Sequence, residues 1–185
     1  MFYDIRMNLI IINGLPASGK TTIAKPLSTK LGIPLIAKDT IKEFLFDNLG
    51  INDREWSRTL GKVSNDFVYT LAETMMAAGQ SVMIENAFER SFAQPRLQEL
   101  IGRYQPNVIE IYCSTDFETR KQRFIGRNES GERHIGHADR ENYLENAAPE
   151  DPDKYAALQI GKVINIDTPK RVEIDEIVRI IGLEN

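Results

Sequence analysis

Cysteine occurs once in the 185 residues, as Cys113 in an apolar stretch, which excludes an intramolecular disulfide and points to a reducing compartment, the cytoplasm. One thiol and two histidines are also too few for a tetrahedral zinc centre. His134 and His137 form a His-x-x-His pair, but no organised acidic set stands near them. No apolar run approaches the roughly eighteen residues that would span a bilayer, and the N-terminus has no charged segment followed by a long apolar core. No membrane partner is expected. Neither sign of charge dominates: 23 Lys+Arg against 27 Asp+Glu leave a net −4 along the chain, which offers no general attraction to nucleic acid. An Asn-Lys-x-Asp guanine-reading motif is missing, which disfavours a GTPase. Repeats, low-complexity tracts and Pro/Ser-rich linkers are missing too, so residues 1–185 are expected to form one domain. Residues 1–6, ahead of Met7, read as an extension with little bearing on function.

Glycine is modest in number, 12 in all, and two of the twelve sit in Gly14-Leu15-Pro16-Ala17-Ser18-Gly19-Lys20-Thr21 behind the apolar run 9–12. This Gly-x-x-x-x-Gly-Lys-Thr pattern is a phosphate-binding loop. Its glycines let the backbone curl so that successive N–H groups point inward at a phosphate, and the helix that follows adds the positive end of its dipole. Gly14, Ala17, Ser18, Gly19 and Thr22 are candidates to cradle the phosphates of a nucleoside triphosphate. Lys20 is placed to reach the β- and γ-phosphates and the Thr21 hydroxyl to ligate Mg²⁺.

Short β-branched runs at 9–12, 33–36, 81–84, 108–113 and 163–166 read as buried parallel strands. Helical patterns lie between and after them, at 20–31, 40–49, about 55–78, 95–104, 116–128 and 173–181. Alternation of the two gives an α/β domain with helices on both faces of one sheet, and ligands at the carboxyl ends of the strands. Pro26 falls inside the first helix, where its missing N–H should distort the second turn. Residues 129–153 are polar and aperiodic, a candidate mobile lid.

The ends of the second and third strands and the helix behind the fourth carry candidate groups. Asp39, after the second strand, suits a general base for an acceptor hydroxyl, with a helix N-cap as the alternative. Glu85, at the end of the third strand, suits Mg²⁺ or the acceptor, alongside Asn86; the structural alternative pairs it with a basic neighbour at the sheet edge. Arg120, Arg123 and Arg127 share one face of the helix behind the fourth strand. Arginine both stacks on a flat base and grips phosphate oxygens, so Arg123 is assigned to the base, Arg127 to the transferring phosphate and Arg120 to support. Arg133 is a further clamp over phosphates or acceptor. The two lid histidines are read as contacts to phosphate or acceptor, or as solvent-exposed. Acceptor contacts are expected from 41–46, 56–69 and Phe88, Glu89 and Arg90, and most aromatics there are expected in the core.

Together the phosphate loop, Asp39, the Arg123-x-x-x-Arg127 pair and Arg133-His134-Ile135-Gly136-His137 resemble small P-loop kinases of the nucleoside-monophosphate-kinase type. Within these, the group of zeta-toxin-like, chloramphenicol-phosphotransferase-like and polynucleotide-kinase-like ATP-binding proteins is most similar. The resemblance runs from about residue 9 to 181. It implies the three-layer P-loop NTPase fold with a five-stranded parallel sheet in the order 2-3-1-4-5, and ATP with Mg²⁺. It also implies γ-phosphate transfer to a hydroxyl, with Asp39 as base and Arg123 and Arg127 as lid arginines. Glu85 departs from the family's usual aspartate, and Pro26 from its first helix. A small-molecule acceptor is the leading reading. A nucleic-acid 5′-hydroxyl kinase and a non-catalytic, toxin-like ATP-binding regulator are the alternatives.

Overall fold

The computed structural model describes residues 7–131, 133–137, 153–170 and 172–182. The most apolar run in the chain becomes the middle of its sheet. Strand β1 (Asn8–Asn13) is flanked by β3 (Val82–Glu85) and β4 (Asn107–Ser114), with β2 (Leu35–Ala37) and β5 (Lys162–Asp167) outermost. All pairs are parallel and the order is β2-β3-β1-β4-β5, as the resemblance implies.

Alternation along β1 sends its side chains into two separate cores, because a parallel sheet is covered on both faces. Leu9 and Ile11 pack with α3 (Arg54–Ala77) and α4 (Arg90–Tyr104); Ile10 and Ile12 pack with α1 (Lys20–Leu31) and α6 (Ile174–Ile181). Helix α2 (Lys38–Leu49) follows β2 at once, and α5 (Phe117–Glu129) follows β4. Cys113 is buried in the α1/α6 core, and burial pushes its thiol up to about 12. Asp116 caps α5, accepting from the Thr119 amide at 2.8 Å.

Several expectations are corrected. Helix α1 runs unbroken through Pro26. Pro26 and Thr22 both lie on its exposed side, so the Thr22 carbonyl, deprived of its donor, faces solvent and not the core. Strand β2 starts two residues late. The Met83 amide donates to the Pro34 carbonyl at 2.9 Å, but Pro34 has no N–H with which to continue the ladder. Helix α4 begins at Arg90, five residues before Pro95, which is tolerated inside it. Phe44 and Phe67 are 63% and 47% exposed and so lie outside the core that holds Phe46, Tyr69 and Phe88.

Candidate functional site

The phosphate loop joins β1 to α1 with three residues at positive φ: Gly14 (139°), Ala17 (61°) and Gly19 (88°). Gly14 has no room for a side chain, since a Cβ there would lie 2.2 Å from the Cys113 carbonyl oxygen. Lys20 folds back over the loop and donates to the carbonyls of Gly14 and Leu15 at 2.9 and 2.8 Å. Burial pulls its ammonium below the ordinary lysine value, against the opposing charges of Glu85 and Asp39. Those carbonyls hold the ammonium in place, and a phosphate group entering the loop competes for it.

Glu85 ends β3, which lies between β2 and β1 and not at the sheet edge, and its basic neighbours are Lys20 and Lys25. The Thr21 hydroxyl donates to its Oε1 at 2.9 Å. Burial raises the Glu85 carboxyl above its usual range, with Lys20 and the Thr21 hydrogen bond opposing. Two oxygen donors from separate elements, held beside Lys20, fit a hard divalent cation such as Mg²⁺.

Asp39 lies in the first turn of α2. Ala37 is the N-cap and no side chain caps the helix, so the capping alternative for Asp39 is excluded. Lys38 lies 3.0 Å from one of its oxygens and Arg133 3.1 Å from the other. Burial would push this carboxyl up; Lys38, Arg133 and His137 outweigh it and hold the group well below the usual carboxylate range.

Arg133 reaches Asp39 because the chain behind α5 is pinned to α2. His137, almost wholly buried, shares a 3.0 Å hydrogen bond with Glu43. His134 accepts from the Gly136 amide at 3.0 Å, leaving Nε2 to donate to Asp47 at 3.0 Å. Phe46 stacks on His134 and meets His137 edge-on, with centroids 5.6 and 5.9 Å away. Neither histidine is a solvated loop residue. Of the expected lid, 132 and 138–152 lie outside the described residues.

Two cavities meet at the loop. One, of about 740 Å³, is lined by Ala17, Gly19, Thr22, Arg123, Arg127 and Thr168 among others, with Ile23, Pro26 and Ile174 giving it apolar walls. The other, of about 280 Å³, brings together Lys20, Thr21, Asp39, Glu85, Arg127 and Arg133, with Lys38, Lys42 and Asn86 beside them. Arg127 faces both. Arg120, though on the same helix and buried, lines neither, and Gly14 and Ser18 also stand behind the walls. Phe88, Glu89, Arg90 and the residues of α3 do not line the smaller cavity, contrary to expectation; its far wall is α2 and the β3 end.

One contributor was not foreseen, and a second falls within the expected stretch 41–46. Thr168, just past β5, donates to the Ser18 carbonyl at 2.7 Å and accepts from Arg123 Nη1 at 2.9 Å, fastening the loop to α5. Its signal was its place: the fifth strand end is the one left without a candidate. Lys42 lies one helical turn beyond Asp39, and its buried ammonium donates to Ser57 Oγ at 2.9 Å.

A family profile described as an AAA domain matches residues 9–149, which takes in the loop, Asp39, Glu85, the arginine helix and Arg133. The chain belongs to this AAA-domain family. The similarity continues into solved structures. A protein from Chloroflexus aurantiacus J-10-fl, designated a candidate kinase, is 31% identical, with 96% of each chain covered and a TM-score of 0.83. A sugar kinase from Janibacter sp. HTCC2649 is 21% identical over 96% of this chain and 95% of its own, TM-score 0.55. The Mycobacterium tuberculosis APS kinase, solved with AMPPNP and APS, is 18% identical over 96% and 97%, TM-score 0.54. At those identities the last two show the fold alone. Within this AAA-domain family the chain has the P-loop kinase-like fold, and no helix among its described residues is long and apolar enough to cross a membrane.

Proposed function

We propose that this protein is an ATP- and Mg²⁺-dependent kinase that transfers the γ-phosphate to a hydroxyl of a small-molecule acceptor. One observation carries the reading: phosphate-holding, metal-suited and proton-accepting groups, Lys20, Thr21 with Glu85, and Asp39, open onto the same cavity. The larger cavity beside it, with apolar walls and Arg123, suits the flat base of ATP. AMPPNP bound to the similarly folded M. tuberculosis APS kinase supports the choice of nucleotide.

In this reading the loop amides and Lys20 hold the triphosphate, and Arg127 grips the group in transfer from between the two cavities. Thr21 and Glu85 would hold Mg²⁺, which when bound neutralises and orients phosphate oxygens. The acceptor oxygen forms its bond to the γ-phosphorus as the bond to the β–γ bridging oxygen breaks, leaving ADP. Asp39 takes the hydroxyl proton. Arg133 stands against Asp39 and so guards the acceptor side. The test is incubation with ATP, Mg²⁺ and a panel of sugars, nucleosides, amino alcohols and 5′-hydroxyl oligonucleotides, read by mass spectrometry. A phosphorylated small molecule supports the proposal. Phosphorylation of the oligonucleotides alone would move the assignment to a nucleic-acid kinase, and nucleotide binding without transfer to a regulator.

A further inference from the structure

The side chain that ends the central strand makes contacts that phosphate binding alone does not call for. Asn13 is fully buried, and its carboxamide has four partners. Oδ1 accepts from the Gly14 amide at 2.7 Å and from the Phe88 amide at 3.1 Å. Nδ2 donates to Glu110 Oε1 at 3.1 Å and to the Ala156 carbonyl at 3.4 Å. Glu110, on β4 and equally buried, also accepts from the amides of Leu158 at 2.7 Å and Gln159 at 2.9 Å.

Four segments therefore meet at one pair of side chains. They are the first residue of the phosphate loop, the loop that carries Asn86 away from β3, strand β4, and residues 156–159 where the chain returns toward β5. The return is tight: a Cβ on Gly161 would lie 2.3 Å from the Val108 carbonyl oxygen. A carboxamide can be turned end for end, so something must choose which end faces Gly14. Its fixed partners choose together: Glu110 and the Ala156 carbonyl only accept here and so draw Nδ2 toward β4 and the returning chain, while the Gly14 and Phe88 amides can only donate. Oδ1 is then left for the two loop amides.

We propose that Asn13 is a positioning residue for phosphate binding, oriented by Glu110, and that the pair transmits the placement of residues 156–159 to the first amide of the loop. The inference rests on reading Gly14–Thr21 as the site of a triphosphate. Asn13→Asp keeps the acceptor but sets two carboxyl groups against each other. Glu110→Gln keeps the volume but leaves one oxygen where two accept from Asn13, Leu158 and Gln159.

The experiment is titration calorimetry with inorganic pyrophosphate, which probes the loop without the base site, well below each variant's melting temperature. The Gly14 amide resonance is followed in parallel. Each variant is expected to bind pyrophosphate about tenfold more weakly, with a shifted Gly14 resonance. A merely structural role would lower melting temperatures and leave the affinity of the folded protein unchanged. That result in both variants overturns the proposal. Should Asn13→Asp not fold, the isosteric Glu110→Gln decides alone. Wild-type protein that binds neither pyrophosphate nor AMPPNP fails the triphosphate reading and this inference with it; wild-type binding with indifferent variants fails this inference only.

Discussion

Arg123 and Thr168 are joined twice: the guanidinium donates to the threonine hydroxyl at 2.9 Å through Nη1 and to its carbonyl at 3.1 Å through Nη2. The same hydroxyl donates to the Ser18 carbonyl. A residue beyond β5 thus fixes both the cation assigned to the base and the turn of the loop that begins α1. Thr168→Val keeps the shape and removes the hydroxyl. ATP affinity is expected to fall about fivefold to tenfold, the worth of one or two partly buried hydrogen bonds, with pyrophosphate affinity falling less. Calorimetry with both ligands checks this, and equal losses would mean that Thr168 acts on the loop alone.

Gly14→Ala places a methyl group 2.2 Å from the Cys113 carbonyl oxygen at a φ of +139°. Since β1 and β4 are locked in register, the loop must move. Destabilisation of about 1–3 kcal/mol or more is expected from the strained backbone alone, together with loss of nucleotide binding. Thermal melts with and without AMPPNP read both effects. A variant that melts and binds like wild type would contradict the tight seat described for this residue.

Asp39→Asn removes the proton acceptor and keeps an oxygen for only one of Lys38 and Arg133, the other cation meeting the amide NH2. Phosphoryl transfer is expected to slow by about 10²–10⁴. ATP affinity should change little, because Asp39 lines only the smaller cavity. Single-turnover kinetics separate the two. Equal turnover would make Asp39 an electrostatic partner of Arg133 and no more.

Acid should loosen the same region. The Asp39 carboxyl is held below its ordinary 3.8 by Lys38, Arg133 and His137 against the pull of burial. The Glu43 carboxyl is lowered chiefly by its hydrogen bond with His137. A carboxyl depressed in the folded state adds stability that is present above its unfolded value and lost as pH falls through the folded one. The melting temperature is therefore expected to drop on acidification from about pH 5 downward, less steeply in Asp39→Asn and Glu43→Gln. Parallel curves for all three proteins would show that these pairs add nothing to stability.

The parts of this site readable in sequence are those that chemistry ties to a local pattern. Gly14 to Thr21 declares itself because the curled backbone needs glycine at two set positions. Asp39 and Glu85 are visible because strand ends are where an α/β sheet presents its ligand groups. The rest depends on contacts between distant segments. Thr168 has an ordinary side chain whose role arises only where β5 ends beside the loop and α5. Asn13 reads as the polar end of an apolar strand until Glu110, 97 residues away, is seen to orient it. Pro26 looked like a flaw because propensity describes a helix in isolation; on the exposed side it forms a cavity wall instead. His134 and His137, in a segment with no periodicity, gave no hint that both would pack against Phe46.

The central claim is that the loop and Asp39 act on one hydroxyl acceptor. The most direct measurement follows γ-labelled ATP in wild type, Lys20→Ala and Asp39→Asn across the acceptor panel. The expected result is label moving from ATP to one class of hydroxyl compound in wild type, none detectable in Lys20→Ala, and slow transfer in Asp39→Asn with ATP still bound. Label that never leaves ATP in protein with AMPPNP affinity intact, or transfer by Lys20→Ala at the wild-type rate, would contradict it.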